Sequence, residues 1–358
     1  MTKDLRAIYE ILLEKDTDGL SEQIDLEELF GAMETIDDVK IILVGQDSYP
    51  DPEKITAMAF SYRQGQKPTG SVKEIILAAL KGKDLHDDGY LDMMTSGYLG
   101  TWRDQGVLLL NSDGPCVHAL IKAIVKGSDG RVCGILLGND ASKLAPLFEV
   151  SFFWNHPSRK STINNDPADP RHWNHTDIFW RANDHVLESE RMPINWATVT
   201  GHNSLFVFTD GGFGKNKKEG SSAYAIFSSL RSHLGSNVVR STKLSTNNIA
   251  ELMAIINVLK IVREYKMGSI NIISDSKYCI NSITIWYNNW LLDPEAMKTK
   301  KNTKLLGQAV ALTEAINSNK QVLTYKHQHG HTTEPDDADS KKWFLWYGND
   351  FVDKMAGY

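Results

Sequence analysis

The sequence predicts an α/β protein in two parts: a parallel sheet with helices on its faces in the first half, and a mixed sheet with helices in the second. Three observations carry this. Largely apolar six-residue runs, VKIILV (39–44), GVLLLN (106–111) and VCGILL (132–137), alternate with helically spaced segments in the first half, as strands buried on both faces do. In the second half, three strand-like runs follow one another with only turn residues between them before helices set in, a meander grammar. The length of 358 residues suits two domains at the usual ~150 residues each. The uncharged, aperiodic ATVTGHNS (197–204) separates them, so the expected domains are 1–199 and 203–358.

Each element follows from local pattern. LRAIYEILLE (5–14) spaces its apolar side chains along one helical face, 39–44 is the first buried strand, and VKEIILAALK (72–81) is helical. Strands at 106–111 and 132–137 follow, then FFWNH (152–156), a polar loop SRKSTINNDPADPRH (158–172) and a last helical stretch ending at Pro193-Ile194-Asn195-Trp196. Beyond the linker, LFVFT (205–209), SAYAIFSS (222–229) and NVVRSTKL (237–244) form the meander. A long amphipathic helix at 248–265, a strand at 269–274, a helix at 277–290, a last strand at 321–325 and a short helix from Phe351 complete the pattern.

Composition narrows the function classes. With 41% hydrophobic and 23% charged residues and no low-complexity tract, the chain is expected to fold rather than remain disordered. Three cysteines without a CxxC pair argue against a disulfide framework or a thiolate zinc site and for a reducing, intracellular compartment. MTKDLRAIYEILLEKD mixes charges into its apolar positions, so neither a signal peptide nor a membrane partner is expected. The net charge of −6 divides unevenly: residues 1–199 hold 20 Lys+Arg against 31 Asp+Glu, and 200–358 hold 19 against 14. The second half is therefore the more basic, polyanion-binding part, while the first must hold phosphate through backbone amides and a few local cations.

Four acids stand out in the second half. Asp210 follows LFVFT, Glu251 lies one turn into NNIAELMAIINVL, Asp275 follows INIIS, and Asp353 sits in GNDFVDKMA. Singly, such residues are turn formers or solvated helix acids; together, carboxylates at strand ends converge tolerably only if cations neutralise them. The local sequences FTDGGFGKNKKEGSSAYAIF, STNNIAELMAI, IISDSKYCINSITIW and GNDFVDKMA resemble, in order and spacing, the four acidic motifs of type 1 ribonuclease H across 203–358. The resemblance implies a ribonuclease H-like mixed five-stranded sheet and two Mg²⁺ (or Mn²⁺) ions about 3.5–4 Å apart on Asp210, Glu251, Asp275 and Asp353. It also places His331 where the family keeps a mobile histidine; the alternative is that His327, His329 and His331 are simply a polar loop. By the same resemblance Asn247, Asn248 and the backbone at Gly211 and Gly212 read the 2′-hydroxyls of RNA. Trp286 and Trp290, at i and i+4, are either core or a stacking face for the DNA strand, with Lys298, Lys300, Lys301 and Asn302 supplying charge and a phosphate contact. Lys243-Leu244-Ser245-Thr246 lacks the Arg often found there, and TTEPDDADSKKWFLWY (332–347) lengthens the final loop.

In the first half, GQDSYP, AMAFS (57–61), GYLGTWRDQGVLLLN (97–111), NHPS (155–158) and PINWA (193–197) resemble the uracil-DNA glycosylase family from end to end of 1–199. PINWA and the Tyr-Pro of GQDSYP also resemble its poxviral branch, whose members double as processivity subunits. The resemblance implies a parallel-sheet glycosylase fold needing no cofactor. Asp47 would stabilise the positively charged sugar and position water, while neutral His156 donates to uracil O2. Asn111 would read the N3–H and O4 edge, Phe60 stack on the base, Tyr49 exclude a thymine methyl and Gln46 supply backbone donors. Ser71 and Ser158 are candidates for pinching phosphates around a flipped nucleotide, and Lys160 stands where the family keeps a leucine wedge. Ser48, Pro50 and Lys160 depart from the family pattern.

The expectation is thus a bifunctional replication and repair hydrolase, viral in its resemblances and placed in a nucleus or cytoplasmic factory. Its partners would be uracil-containing DNA, single- or double-stranded, RNA:DNA hybrids and a polymerase or processivity factor. The alternative keeps only the ribonuclease active and makes the first domain a DNA-binding scaffold.

Overall fold

A computed structural model describes residues 3–14, 25–45, 56–80, 94–114, 116–158, 166–197, 204–214, 216, 218–265, 268–319, 321–338 and 340–357. The chain forms two compact units, one of Met1–Ser189 with Pro193–Val199 and one of Glu190–Met192 with Thr200–Tyr358. Among the described residues no helix is long and apolar enough to cross a membrane.

The first unit is built on a four-stranded sheet of order β2-β1-β3-β4, comprising β1 (Ile41–Gly45), β2 (Val107–Asn111), β3 (Cys133–Leu137) and β4 (Ser151–Trp154). Every neighbouring pair is parallel. Ile41 through Val44 are wholly buried, because a central parallel strand carries helices on both faces and has no solvent side for polar residues. On one face α1 (Leu5–Leu13) begins at Asp4, whose carboxylate accepts from the Ala7 N–H at 2.8 Å. The short α2 (Leu26–Phe30) begins in the same way at Asp25. Leu5, Tyr9, Leu29 and Phe30 from these helices join Leu120, Ile121 and Ile124 of α4 (Val117–Gly127) over Ile42 and Val44. Between β1 and β2 lies α3 (Gly70–Leu80), and α5 (Ile178–Glu188) packs on β3 and β4.

The conspicuous WRDQG and PINWA motifs have a structural task. Trp196 packs edge-on to Trp102 (5.0 Å) and Phe179 (5.1 Å), all three buried. The Trp102 indole N–H donates to the Trp196 carbonyl at 3.0 Å. Asn183 pairs with both backbone groups of Ile194, and Gln105 with both of Asn195. The 193–195 stretch, outside both sheets, thereby has the backbone groups of Ile194 and Asn195 bonded by side chains.

The second unit carries a mixed sheet of order β7-β6-β5-β8-β9, comprising β5 (Leu205–Gly214), β6 (Glu219–Ser228), β7 (His233–Ser241), β8 (Ile270–Ser274) and β9 (Leu323–His327). β5, β6 and β7 run antiparallel, and β5, β8 and β9 parallel. Phe208, Ala223, Ala225 and Phe227 form a core with Phe344, Leu345, Val352 and Ala356 of the last helix. Against β5 and β6 also packs α6 (Asn247–Val262), with α7 (Thr303–Ser318) beside it.

Several elements differ from expectation: α4 had no predicted counterpart, β9 lies two residues later than expected and α5 ends at Glu188, and three further differences bear on packing and the site. β5 continues to Gly214, so Asp210 lies inside the strand rather than just after it. The 16-residue α7 was not foreseen, because Gly307 interrupts TKLLGQAVALTEAINS; at that glycine a Cβ would meet the Tyr287 ring at 2.5 Å from its hydroxyl. The last helix, α8 (Lys341–Ala356), starts ten residues before Phe351, with Ser340 accepting from the Trp343 N–H at 3.0 Å. Gly348 disguises this helix in the sequence, yet its missing side chain is what lets α8 sit on the Phe208 ring.

Trp196→Ala is expected to cost the first unit about 3–5 kcal/mol, read as a lower urea midpoint at unchanged m value.

Candidate functional site

The second unit brings carboxylates together by close backbone packing. At Gly211 a Cβ would run into the backbone of Ala250 and Glu251, so only glycine lets β5 touch the first turns of α6. Thr246 caps that helix, accepting from the Ile249 N–H at 3.2 Å, which puts Glu251 one turn in and against Asp210. Asp275 enters from the end of β8. Asp210, Glu251 and Asp275 each offer an oxygen within 4.8 Å of the others.

The electrostatics match this crowding. Burial, then the charges of Asp275 and Asp353, push the Asp210 carboxyl up to about 6. Burial and its acidic neighbours hold Glu251 well above the usual carboxylate range, and burial followed by Asp353 raises Asp275. Glu251 is 9% exposed, and its Oε2 is buried without a hydrogen-bond partner among the described residues. An orphaned buried carboxylate oxygen facing two more carboxylates is a hard-oxygen donor set, which a divalent cation fits.

Asp353, on α8, stands beside the trio rather than within it and meets the Nδ1 of the exposed His331 at 3.3 Å. His331 adopts a left-handed backbone, φ +51°. The 327–331 segment also reaches Asp275. His327 Nε2 lies 3.0 Å from the Asp275 main-chain oxygen, and Gly330 packs against the Asp275 carboxylate too closely to admit a Cβ.

Asn247 and Asn248 are exposed in the first turn of α6, the turn that carries Glu251. Trp286 and Trp290 are not core: both are half-buried, 6.2 Å apart and tilted by 32°. The Lys300 ammonium sits 5.2 Å over the Trp290 ring. A π turn at Ser282–Trp286 leads into the first tryptophan, and α-helix over Tyr287–Leu291 carries the second. Asn302 is left-handed, φ +62°, and precedes α7.

In the first unit, three predicted residues meet at the carboxyl ends of the parallel strands, where α/β sheets hold ligands. β1 ends at Gly45, in register with Asn111 at the end of β2. A Cβ on Gly45 would stand 2.7 Å from the Phe60 ring and 3.4 Å from Asn111 Oδ1, so this glycine opens the space in which both side chains lie. Phe60 holds a left-handed backbone, φ +60°, a conformation costly for a bulky residue and retained where surroundings enforce it. Here Thr56 and Ser61 do so: Thr56 Oγ1 donates within the turn to the Met58 and Ser61 carbonyls, and Ser61 Oγ accepts from the Leu99 N–H at 3.0 Å.

The His156 ring is 5.9 Å from that of Phe60. Its Nδ1 accepts from the Ser158 backbone N–H at 3.1 Å. A ring nitrogen that accepts carries no hydrogen, so this contact fits the tautomer that presents Nε2–H as a donor. Ser158 thus acts on His156 through its backbone, while Ser71 stands half-buried in the first turn of α3. Gln46, Asp47, Tyr49 and Lys160 lie outside the described residues. Sequence reasoning passed over Gly45, Gly330 and His327 as contributors. A glycine closing an apolar strand was the available signal for the first; for the other two there was none beyond the histidine run itself.

Known proteins divide along the same line. The RNase H family model matches residues 202–357. The uracil-DNA glycosylase of Lactobacillus helveticus is 32% identical over 177 residues, covering 44% of this chain and 70% of that protein. Uracil-DNA glycosylase 2 of Listeria monocytogenes serotype 4b is 37% identical over 90 residues, a quarter (25%) of this chain, which spans 38% of that relative's length. Among solved structures, mimivirus uracil-DNA glycosylase is similar at 22% identity over 48% of this chain and 72% of that one, with a TM-score of 0.38. An N-terminal ribonuclease H domain from Mycobacterium tuberculosis, solved as a maltose-binding protein fusion, is 17% identical over 43% of this chain and 99% of that one, with a TM-score of 0.28.

The raised Asp210 carboxyl makes stability pH-dependent. Its ordinary value is 3.8 and its folded value about 6, so in that window the native state binds the extra proton. The stability it contributes is full below about pH 4 and lost as pH rises through about 6. In EDTA, Asp210→Asn is expected to flatten this slope and to stabilise the second unit at pH 7.5 by on the order of 2 kcal/mol, measured by urea unfolding.

Proposed function

Because the chain belongs to the uracil-DNA glycosylase family through its first half and carries a ribonuclease H domain in its second, we propose that it is a bifunctional hydrolase. One site excises uracil from DNA, and the other cleaves the RNA strand of RNA:DNA hybrids. For the nuclease the carrying observation is the trio of carboxylates within 4.8 Å, one oxygen of which is buried and unpartnered. Asp210, Glu251, Asp275 and Asp353 would hold two Mg²⁺ ions, which when bound supply Lewis-acid activation of water and stabilisation of the leaving oxygen. The chain's own part is to fix those four acids on rigid elements and to offer Asn247 and Asn248 to ribose hydroxyls from the same helix turn. The half-exposed Trp286 and Trp290, with Lys300 over the second ring, suit a sugar-phosphate track.

For the glycosylase the supporting observation is the His156 Nδ1 that accepts from the Ser158 N–H, beside Phe60, an arrangement that suits a neutral imidazole with its proton on Nε2. Departure of uracil leaves negative charge on the base, and a fixed neutral donor stabilises that charge without itself needing to ionise. Phe60 would stack on the base and Asn111 would read its edge, rejecting cytosine through mismatched donors and acceptors. Extruding the base costs a few kcal/mol, to be offset by Ser71, Ser158 and Lys160 on the phosphates. Asp47 would face the sugar. Joined on one chain, each site is delivered at high effective concentration to DNA found by the other, which suits replication and repair beside a polymerase or processivity factor.

Two assays separate the parts. Uracil release from a labelled single-stranded oligonucleotide in EDTA is expected to fall about 10²–10³-fold in His156→Ala, with hybrid cleavage in Mg²⁺ unchanged; Asp210→Asn is expected to do the reverse. If the unsubstituted protein releases no uracil at high concentration while cleaving hybrids, the first unit is a DNA-binding scaffold instead.

A further inference from the structure

We propose that His327 is a positioning residue for the carboxylate cluster, holding the main-chain carbonyl of Asp275 through its Nε2–H. This rests on the ribonuclease reading and adds to it a residue outside the four acids. Asp275 is the first residue beyond β8, where the ladder runs out. β8 and β9 are parallel, with Ser274 opposite His327, and the Gln328 N–H donates to the Ser274 carbonyl at 3.0 Å as the last rung. The next carbonyl, that of Asp275, has no strand partner. Instead it takes the Lys277 N–H at 3.0 Å from one side and His327 Nε2 at 3.0 Å from the other. A carbonyl oxygen only accepts, so Nε2 carries the hydrogen.

The His327 ring is itself held. His329 meets it edge-on, with centroids 4.7 Å apart at 82°. The remainder of the same loop grips the other end of Asp275, where the Gly330 backbone abuts the carboxylate, and His331 meets Asp353. Within five consecutive residues, His327, Gly330 and His331 thus touch the backbone of one acid, its carboxylate and a second acid on another element. A carbonyl pinned from two sides keeps Asp275 from rotating as a frayed strand end would. Groups that orient ligands in this way are worth 10–100-fold in metal affinity or activity.

The experiment uses the full chain with three substitutions. His327→Phe keeps a ring against His329 but has no N–H, His327→Ala removes both, and His327→Gln restores an N–H at similar reach. The first readout is the Mg²⁺ concentration giving half-maximal thermal stabilisation without nucleic acid; the second is kcat and KM on an RNA:DNA hybrid. Phe and Ala are expected to raise the Mg²⁺ midpoint about 10-fold and to lower kcat at unchanged KM, with Gln recovering most of the loss. Circular dichroism in EDTA checks folding, and Ala decides if Phe does not fold. Wild-type Mg²⁺ affinity in the donor-less variants, or a Gln variant as impaired as Phe, overturns the proposal. An unsubstituted protein that neither cleaves hybrid nor gains stability from Mg²⁺ overturns the ribonuclease reading with it.

Discussion

Mutual repulsion among crowded carboxylates, one buried and two half-buried, is the constraint on which the second unit depends. Nothing in the apolar economy of a protein gathers Asp210, Glu251 and Asp275 within 4.8 Å; burial and like charge both oppose it. The sheet and α6 impose the arrangement through backbone contact at Gly211, where β5 touches the first turns of the helix. The aromatic core of Phe208, Phe227 and Phe344 anchors α8, the element carrying Asp353, to the same strand. The fold therefore holds a cluster whose repulsion a divalent cation would relieve, and does so on elements that fix it in advance.

The first unit meets a different demand with the same device, a glycine where two elements must approach. Gly45 closes the central strand and leaves room for Phe60 and for the side chain of Asn111. The strained Phe60 backbone and the Nδ1-accepting His156 then set a ring and a proton donor near one another. The buried Trp102–Trp196–Phe179 cluster and the side-chain clasps on 193–197 add to the packing of the same unit.

Much of this was legible in the sequence because it rests on period and punctuation. β1, β2 and β3 announce themselves as uninterrupted apolar runs, and the meander as strands separated by turns. Individual acids were legible only as members of local motif sequences; Asp353, on a helix whose first seven residues fall in the expected final loop, had no periodicity to mark it. What failed was tertiary. α7 and the start of α8 contain Gly307 and Gly348, which weaken helical signals but serve side-chain contacts with Tyr287 and Phe208 that only the folded chain defines. The half-exposure of Trp286 and Trp290 was likewise undecidable from spacing, which is the same for a core stripe and a stacking face.

The claim that the carboxylate cluster exists to hold divalent cations is tested most directly by titrating Mn²⁺ into the full chain without nucleic acid while following the free ion by electron paramagnetic resonance. The account predicts saturable uptake that Glu251→Gln abolishes, the orphaned oxygen being then an amide in a site built for charge. Equal uptake by Glu251→Gln and the unsubstituted protein, or none by either, would contradict it.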